Sequence, residues 1–261
     1  MGFLEVLIIG LVEGATEFLP VSSTGHMILA AYLMKLESTD FLKTFEVVIQ
    51  LGAILAIVWI YAKRFLNSFT IYLKLLVAFI PTGVIGLLAY KTIKAYLFSP
   101  LVVAVSLILG GVILILLDNY VEKKESAWED VEDISYKNAF FIGLIQCFSM
   151  IPGVSRAAAT IIGGAFNGFN KKQAAEFSFL LAVPTMFAAS GYDLLKTEMA
   201  FSQENILMLL AGMLVAFLSA WVAVKIFINI INRFGFKHFG YYRIVIGLIF
   251  LAMFFSDSLT M

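Results

Sequence analysis

Leu19-Pro20-Val21-Ser22-Ser23-Thr24-Gly25 interrupts an otherwise apolar run, residues 3–36, and Ile151-Pro152-Gly153-Val154-Ser155-Arg156 interrupts a second, residues 138–166. Each half of either run is too short to cross about 30 Å of hydrocarbon as a helix rising 1.5 Å per residue. Proline and glycine at the break stop a straight helix from running through. The natural reading is a helical hairpin that enters the membrane, turns inside it and leaves on the same side. Broken backbone at that depth is tolerated only where protein or a wet cavity surrounds it.

Around these two stretches lie six others of spanning length: 43–62, 71–90, 100–118, 174–193, 205–230 and 241–256. The composition agrees, since 61% of the 261 residues are apolar and 14% charged, against about 45–50% and 25% in a soluble domain. Mean hydropathy is +0.96. The expected fold is therefore an all-α polytopic membrane protein in a single membrane domain. Net charge is zero and no basic stripe is interleaved with aromatics, which argues against a nucleic-acid partner. One cysteine, Cys147, excludes an intrachain disulfide and a cysteine-based zinc site, and reads as a buried apolar residue. Met1-Gly-Phe-Leu-Glu lacks the positive start of a signal peptide and is expected to stay on the chain. The polar stretch 119–137 reads as a solvated loop.

The two interrupted runs look like copies. Phe18-Leu-Pro-Val-Ser-Ser-Thr can be set beside Met150-Ile-Pro-Gly-Val-Ser-Arg, which pairs Pro20 with Pro152 and Ser23 with Ser155. Glu46 and Glu176 then open the apolar helix that follows each. This predicts repeat one over about 1–120 and repeat two over about 138–258, each a re-entrant hairpin followed by three spans. An odd number of spans inverts the second copy, the architecture of many transporters. Ten Lys and Arg fall on the side holding the loops after spans one, three and five, Arg243 among them, and five on the other. That asymmetry places the first side in the cytoplasm and the first hairpin's mouth outside.

Ionisable groups inside hydrocarbon cost several kcal/mol and are functional hypotheses by default. Here they gather at the hairpins: Glu13, Glu17 and His26 in the first, Arg156 in the second, with Glu46 and Glu176 as secondary candidates. Glu13 and Glu17 stack on one helix face, so something positive must separate them, either Mg²⁺ or Ca²⁺ or Arg156. A helix restarting at Ser22-Ser23-Thr24 offers free N–H groups and a positive dipole end to phosphate, and one of the serines is expected to cap it. Ser23 and His26 are three apart, so Ser23 could be a nucleophile with His26 as its base. The imidazole could equally attack phosphorus itself. Arg156 matches phosphate bidentately, and Ser155 beside it supplies a donor. The residues thus point to an intramembrane site for a phosphate-bearing, lipidic substrate.

At these residues the sequence resembles the undecaprenyl-pyrophosphate phosphatases, the bacitracin-resistance family. Glu13-Gly-Ala-Thr-Glu17-Phe-Leu-Pro-Val-Ser-Ser-Thr-Gly-His26 is similar to that family's first motif, and Pro152-Gly-Val-Ser155-Arg156-Ala-Ala-Ala-Thr160 to its second. Lys43-Thr-Phe-Glu46-Val-Val-Ile-Gln50-Leu-Gly52 and Glu176-Phe-Ser-Phe-Leu-Leu-Ala-Val-Pro184 are similar too. Ala157 stands where the family usually has a further serine, which removes a hydroxyl. The resemblance implies hydrolysis of undecaprenyl pyrophosphate to the monophosphate and inorganic phosphate, recycling the carrier lipid for peptidoglycan synthesis. It also implies a divalent cation, a homodimer, and a site open to the extracytoplasmic face of a bacterial plasma membrane. Carried over, Glu13 and Glu17 serve the metal and acid/base steps, Ser23 or His26 is the nucleophile, and Arg156 with Ser155 holds the pyrophosphate. Ser22, Thr24, Gln50 and Thr160 complete the expected substrate-binding set. Ser23 with His26 as its base is the favoured pairing. The second histidine that another class of membrane acid phosphatases carries after Ser-Arg is missing here. A transporter or flippase of phosphorylated lipid, rocking about the same anion site, is the rival reading, since fold alone does not settle function.

Overall fold

A computed structural model of the chain describes residues 1–37, 39–96, 99–121, 125–196 and 202–256, of which 90–96 are described by backbone alone. Lys123 and Lys124, the side chains of Lys91 and Lys94, and the end of the expected second repeat beyond 256 lie outside them. The described residues form α1 (Phe3–Thr16), α2 (Ser23–Leu33), α3 (Asp40–Ile60), α4 (Ala62–Asn67), α5 (Phe69–Tyr96), α6 (Pro100–Val121), α7 (Tyr136–Gln146), α8 (Arg156–Phe166), α9 (Lys171–Lys196), α10 (Gln203–Phe234) and α11 (Lys237–Phe255). Short 3-10 turns occupy Val131–Asp133 and Cys147–Met150. No strand occurs among the described residues.

Six helices are long and apolar enough to cross a membrane: Asp40–Ile60, Phe69–Ala89, Pro100–Val121, Lys171–Lys196, Gln203–Phe234 and Lys237–Phe255. They coincide with the six expected spans. Their outward faces expose large apolar side chains, including Leu88 at 82% and Leu207 at 65%, a surface suited to acyl chains and not to water. The chain is a multi-pass membrane protein. Hydroxyl side chains start several helices by accepting a free N–H: Thr39 from Leu42 of α3, Ser135 from Asn138 of α7 and Ser202 from Asn205 of α10.

The two interrupted runs form two short-helix pairs, α1–α2 and α7–α8. At 14 and 11 residues in the first pair and 11 and 11 in the second, no member reaches across a bilayer core at 1.5 Å per residue. The pairs interlock with the rest of the chain reciprocally, α1 packing on α10 and α7 on α5. A hydrogen bond repeats at both contacts: Ser219 of α10 donates to the Leu11 carbonyl at 2.9 Å, and Thr82 of α5 to the Gly143 carbonyl at 3.2 Å. α6 lies against α11, and the backbones meet where a Cβ on either Gly111 or Gly240 would fall 2.6 Å from the other's carbonyl oxygen. Small residues let membrane helices approach this closely.

The described part of the 119–137 stretch is solvated along one side, with Glu125, Glu129, Asp133 and Lys137 exposed, but it is also anchored. Val131 and Ile134 are buried, and the Trp128 indole donates to the Asn167 carbonyl at 2.9 Å. Burial of two apolar residues in a charge-rich segment is what composition alone does not reveal. Asp118, also buried, accepts from the Phe236 amide at 2.8 Å and pairs with Lys171 at 2.8 Å, tying the α10–α11 corner to the start of α9. Cys147 is half-buried, its thiol 3.3 Å from the Gly143 carbonyl.

Candidate active site

Both breaks use one backbone device. Ser22 and Ser155 sit at φ 73°, a conformation uncommon for residues with a Cβ. Each caps the helix that follows, Ser22 accepting from the Gly25 amide at 3.4 Å and Ser155 from Ala158 at 3.2 Å. The structural counterpart of Ser155 is therefore Ser22 and not Ser23, because the second break carries one more residue between its proline and its cap. Ser23 and Arg156 are the matching first residues of α2 and α8.

Both helix starts open on one cavity of about 580 Å³, within the range of small-ligand sites. Glu17, Ser22, Ser23, Thr24, Gln50, Ser155 and Arg156 line it, together with apolar wall from Phe79, Leu87 and Met186. Seven of the expected site residues thus meet although they lie as far apart as 139 positions. Glu17 is the hub: its Oε1 takes Arg156 Nη2 at 3.0 Å and its Oε2 takes the Ser23 hydroxyl at 2.5 Å. Arg156 also donates through Nη1 to the Ser178 carbonyl at 3.0 Å, and its guanidinium lies 5.4 Å from the centre of the Phe18 ring.

Glu13 is fully buried one helical turn before Glu17 and is not on the cavity wall; both its carboxylate oxygens, and Arg156 Nε, are buried without a partner among the described residues. Such orphans cost about 1–3 kcal/mol each and mark places where something else binds. An N–H orphan suits an anion. A fully buried carboxylate beside Glu17 suits a hard cation with oxygen ligands, so the donor chemistry fits the Mg²⁺ or Ca²⁺ expected from the sequence. No group of three or more His, Cys, Asp or Glu forms a metal cage among the described residues, so phosphate and water oxygens would have to complete the shell.

Several expected roles fall differently. His26 does not reach Ser23. Its Nδ1 is 2.8 Å from the Ser22 carbonyl, which can only accept, so Nδ1 carries the proton and Nε2 accepts from Tyr242 at 2.7 Å. Three-residue spacing puts two side chains on one helix face, but His26 also stands four after Ser22 and stacks on Tyr242 at 5.5 Å. Glu17, across the break, takes the place expected of His26. Thr160 is fully buried off the cavity wall, its hydroxyl 2.6 Å from Ser178 Oγ, so it braces the Arg156 anchor and is not positioned to touch substrate.

Glu176 lies elsewhere. It pairs with Arg64 of α4 at 2.8 Å, which also binds Asp130 at 2.9 Å and Glu132 at 2.8 Å. Burial lifts Asp130, but hydrogen bonds from Arg64 and from the Glu132 and Val131 amides, with the Arg64 charge, together outweigh it and hold this carboxyl below its usual range. Burial opposes the Arg64 charge, yet its hydrogen bonds to Asp130, Glu176 and Glu132 raise it overall. Glu46, half-buried on α3, stays within electrostatic reach of Glu13. The two glutamates are 130 positions apart while their helices start 131 apart, at Asp40 and Lys171. One residue turns a side chain by about 100°. A wider, open concavity of about 920 Å³ beside α4 is lined by Lys63, Arg64 and Glu132, but its arginine is already satisfied by carboxylates.

Sequence reading missed Arg243. Placed at the edge of a span, it counted as a loop charge, yet it is completely buried on α11. The helix begins at Lys237, four residues before the expected 241, which draws Arg243 inside.

A six-span membrane protein with two broken helix pairs meeting at a carboxylate–serine–arginine cavity is the class that fold and site define. The chain belongs to the bacitracin resistance family: residues 6–249 match the family described as Bacitracin resistance protein BacA. It is 52% identical over 251 residues to an undecaprenyl-diphosphatase of Persephonella marina and to one of Wolinella succinogenes, covering 96% of this chain and 98% of each relative. It is 49% identical to that of Aquifex aeolicus with the same coverage.

Proposed function

We infer that this chain is a membrane phosphatase hydrolysing undecaprenyl pyrophosphate to undecaprenyl phosphate and inorganic phosphate, which recycles the lipid carrier for peptidoglycan synthesis. The observation that carries the chemistry is the Arg156–Glu17–Ser23 chain of contacts at 3.0 and 2.5 Å, set between two helix N-termini. Phosphoryl transfer asks mainly for positioning and for positive charge around the transferred group. Arg156 and the α2 and α8 N-termini supply that charge, and Arg156 Nε is a donor still free for a phosphate oxygen.

In our reading Ser23 Oγ attacks the terminal phosphorus while its proton passes to Glu17 Oε2. The bond from phosphorus to the bridging oxygen breaks, and undecaprenyl phosphate leaves. Glu17 gives that proton up to the departing lipid phosphate. Water then attacks the phosphoseryl group and loses one proton to Glu17, which passes it to Ser23 Oγ as the phosphorus–Oγ bond breaks and inorganic phosphate departs. Glu13, with Glu17 beside it, would hold a Mg²⁺ or Ca²⁺ ion that neutralises charge on the pyrophosphate. Thr24, Ser155 and Gln50 orient it. His26 fixes the start of α2 through the Ser22 carbonyl.

We further propose that the broken pairs are re-entrant and that the chain is an inverted repeat; the matched caps and the reciprocal α1–α10 and α7–α5 contacts support this. The cavity wall includes Leu87, Ala188, Ala189, Tyr192 and Asp193, far along α5 and α9 from the Arg64 cluster. With Arg243 buried, the charge asymmetry is nine against five, which still favours a cavity open to the extracytoplasmic face of the plasma membrane. The homodimer that the resemblance implies is a proposal checked by light scattering in detergent. The function is tested by release of inorganic phosphate from undecaprenyl pyrophosphate by purified protein, with and without chelator, wild type beside Arg156→Ala. Chelator-sensitive release lost in the mutant supports it. Binding without release by folded, metal-loaded wild type would favour a transporter.

A further inference from the structure

Arg243 is completely buried and has no carboxylate within ion-pair distance among the described residues. A charge so placed is expensive unless its hydrogen bonds are met. Four backbone carbonyls meet them. Nη1 donates to Pro20 at 3.0 Å, Nη2 to Gly153 at 2.9 Å and to Ser106 at 3.1 Å, and Nε to Leu107 at 3.3 Å. Pro20 stands two residues before the cap Ser22, and Gly153 two before the cap Ser155. One guanidinium therefore joins equivalent carbonyls of the two breaks and fastens both to α6. Its neighbour Tyr242 holds His26, so consecutive residues of α11 address the first break. Arg243 is not on the cavity wall, so it does not touch substrate.

We propose that Arg243 is a positioning residue of the phosphatase, locking the first break to the second so that Ser23 and Glu17 face the phosphate that Arg156 holds. A fork with several donors is what the task requires, because three guanidinium nitrogens serve four carbonyls, whereas a lysine would have to reach them all from one nitrogen. The effect is on rate: displacing one reacting partner by about 1 Å can cost a hundredfold while leaving binding groups in place. α6 offers an independent handle. A Cβ on Gly110 would fall 2.3 Å from Arg243 Nη2, so Gly110→Ala shifts the guanidinium without removing it.

The inference rests on the phosphatase reading, and wild-type phosphate release is recorded first so that failure of that reading shows separately. Folded Arg243→Gln, checked by monodispersity in detergent, is expected to lose kcat about a hundredfold with KM within about threefold. Arg243→Lys is expected to recover little. In Arg243→Ala, added guanidinium but not ammonium should restore kcat about tenfold. Gly110→Ala should lose about tenfold on its own. Folded Arg243→Gln with kcat within threefold of wild type would overturn the proposal. So would full activity in Gly110→Ala if Arg243→Gln does not fold.

Discussion

The two breaks share a backbone and differ in chemistry. Each places a serine at φ 73° as cap of a new helix, and each turns that helix start toward one cavity. The first break then carries Glu13, Glu17 and Ser23, two carboxylates and a hydroxyl. The second carries Arg156, braced by Ser178 and Thr160. In α1 the buried polar residue is Glu13, while α7 buries Gln146, whose amide donates to Thr82 at 2.8 Å and so is satisfied. On the reading proposed above the two breaks divide the work, with the acidic and nucleophilic groups at the first and the cationic group at the second.

That asymmetry is broken most severely at the groups unique to each side. Ser23→Ala should lower kcat/KM on the order of 10⁴-fold, as expected for loss of a nucleophile. His26→Asn, which keeps a donor for the Ser22 carbonyl, should cost at least about tenfold less than that. Equal losses would return His26 to the role of base. Phosphate release under steady-state conditions reads both. Arg156→Ala should lose about a thousandfold, by analogy with removing a transition-state donor, and Arg156→Lys should recover only part because it cannot fork.

The shared device makes the opposite prediction. Ser22→Ala and Ser155→Ala should destabilise by similar amounts, each about 1 kcal/mol for a lost cap, in denaturant unfolding of the detergent-solubilised protein. A loss confined to one would mean that the breaks are not mechanically equivalent.

Smaller still is the effect outside the cavity. Arg64→Ala leaves Glu176, Asp130 and Glu132 without their cation. It should cost about 2 kcal/mol of stability, between the exposed and buried limits for ion pairs, with little change in kcat. The Asp130 contribution has a definite sign. Its carboxyl is held low in the folded chain, so the stabilisation is fully present above the unfolded aspartate pKa of about 3.9. It is lost as pH falls through the lower folded value. Thermal unfolding of wild type should therefore show an acid-side decline that is reduced in Arg64→Ala.

Much of this was legible in the sequence because bilayer physics writes long patterns. Six apolar stretches and two Pro-interrupted ones are set by hydrocarbon thickness, and the structure returns the six helices within a few residues. The clustering of Glu13, Glu17 and Arg156 was legible for the same reason, since charges in apolar runs stand out. What local spacing could not show was contact across a break. Ser23 meets Glu17 six residues back, through a turn whose path depends on the Ser22 cap, whereas helical spacing pointed to His26. Arg243 was invisible because its partners are carbonyls, which leave no side-chain signature. Glu176 looked like the twin of Glu46, but it pairs with Arg64 away from the cavity.

The central claim is that the first break supplies the attacking group and the second the charge that holds its target. It is tested most directly by rapidly quenching turnover of undecaprenyl pyrophosphate labelled in its terminal phosphate and mapping the label on the chain. Label is expected on Ser23 in wild type, absent in Ser23→Ala and strongly reduced in Arg156→Ala. Label on His26, or rapid phosphate release by Ser23→Ala, would contradict it.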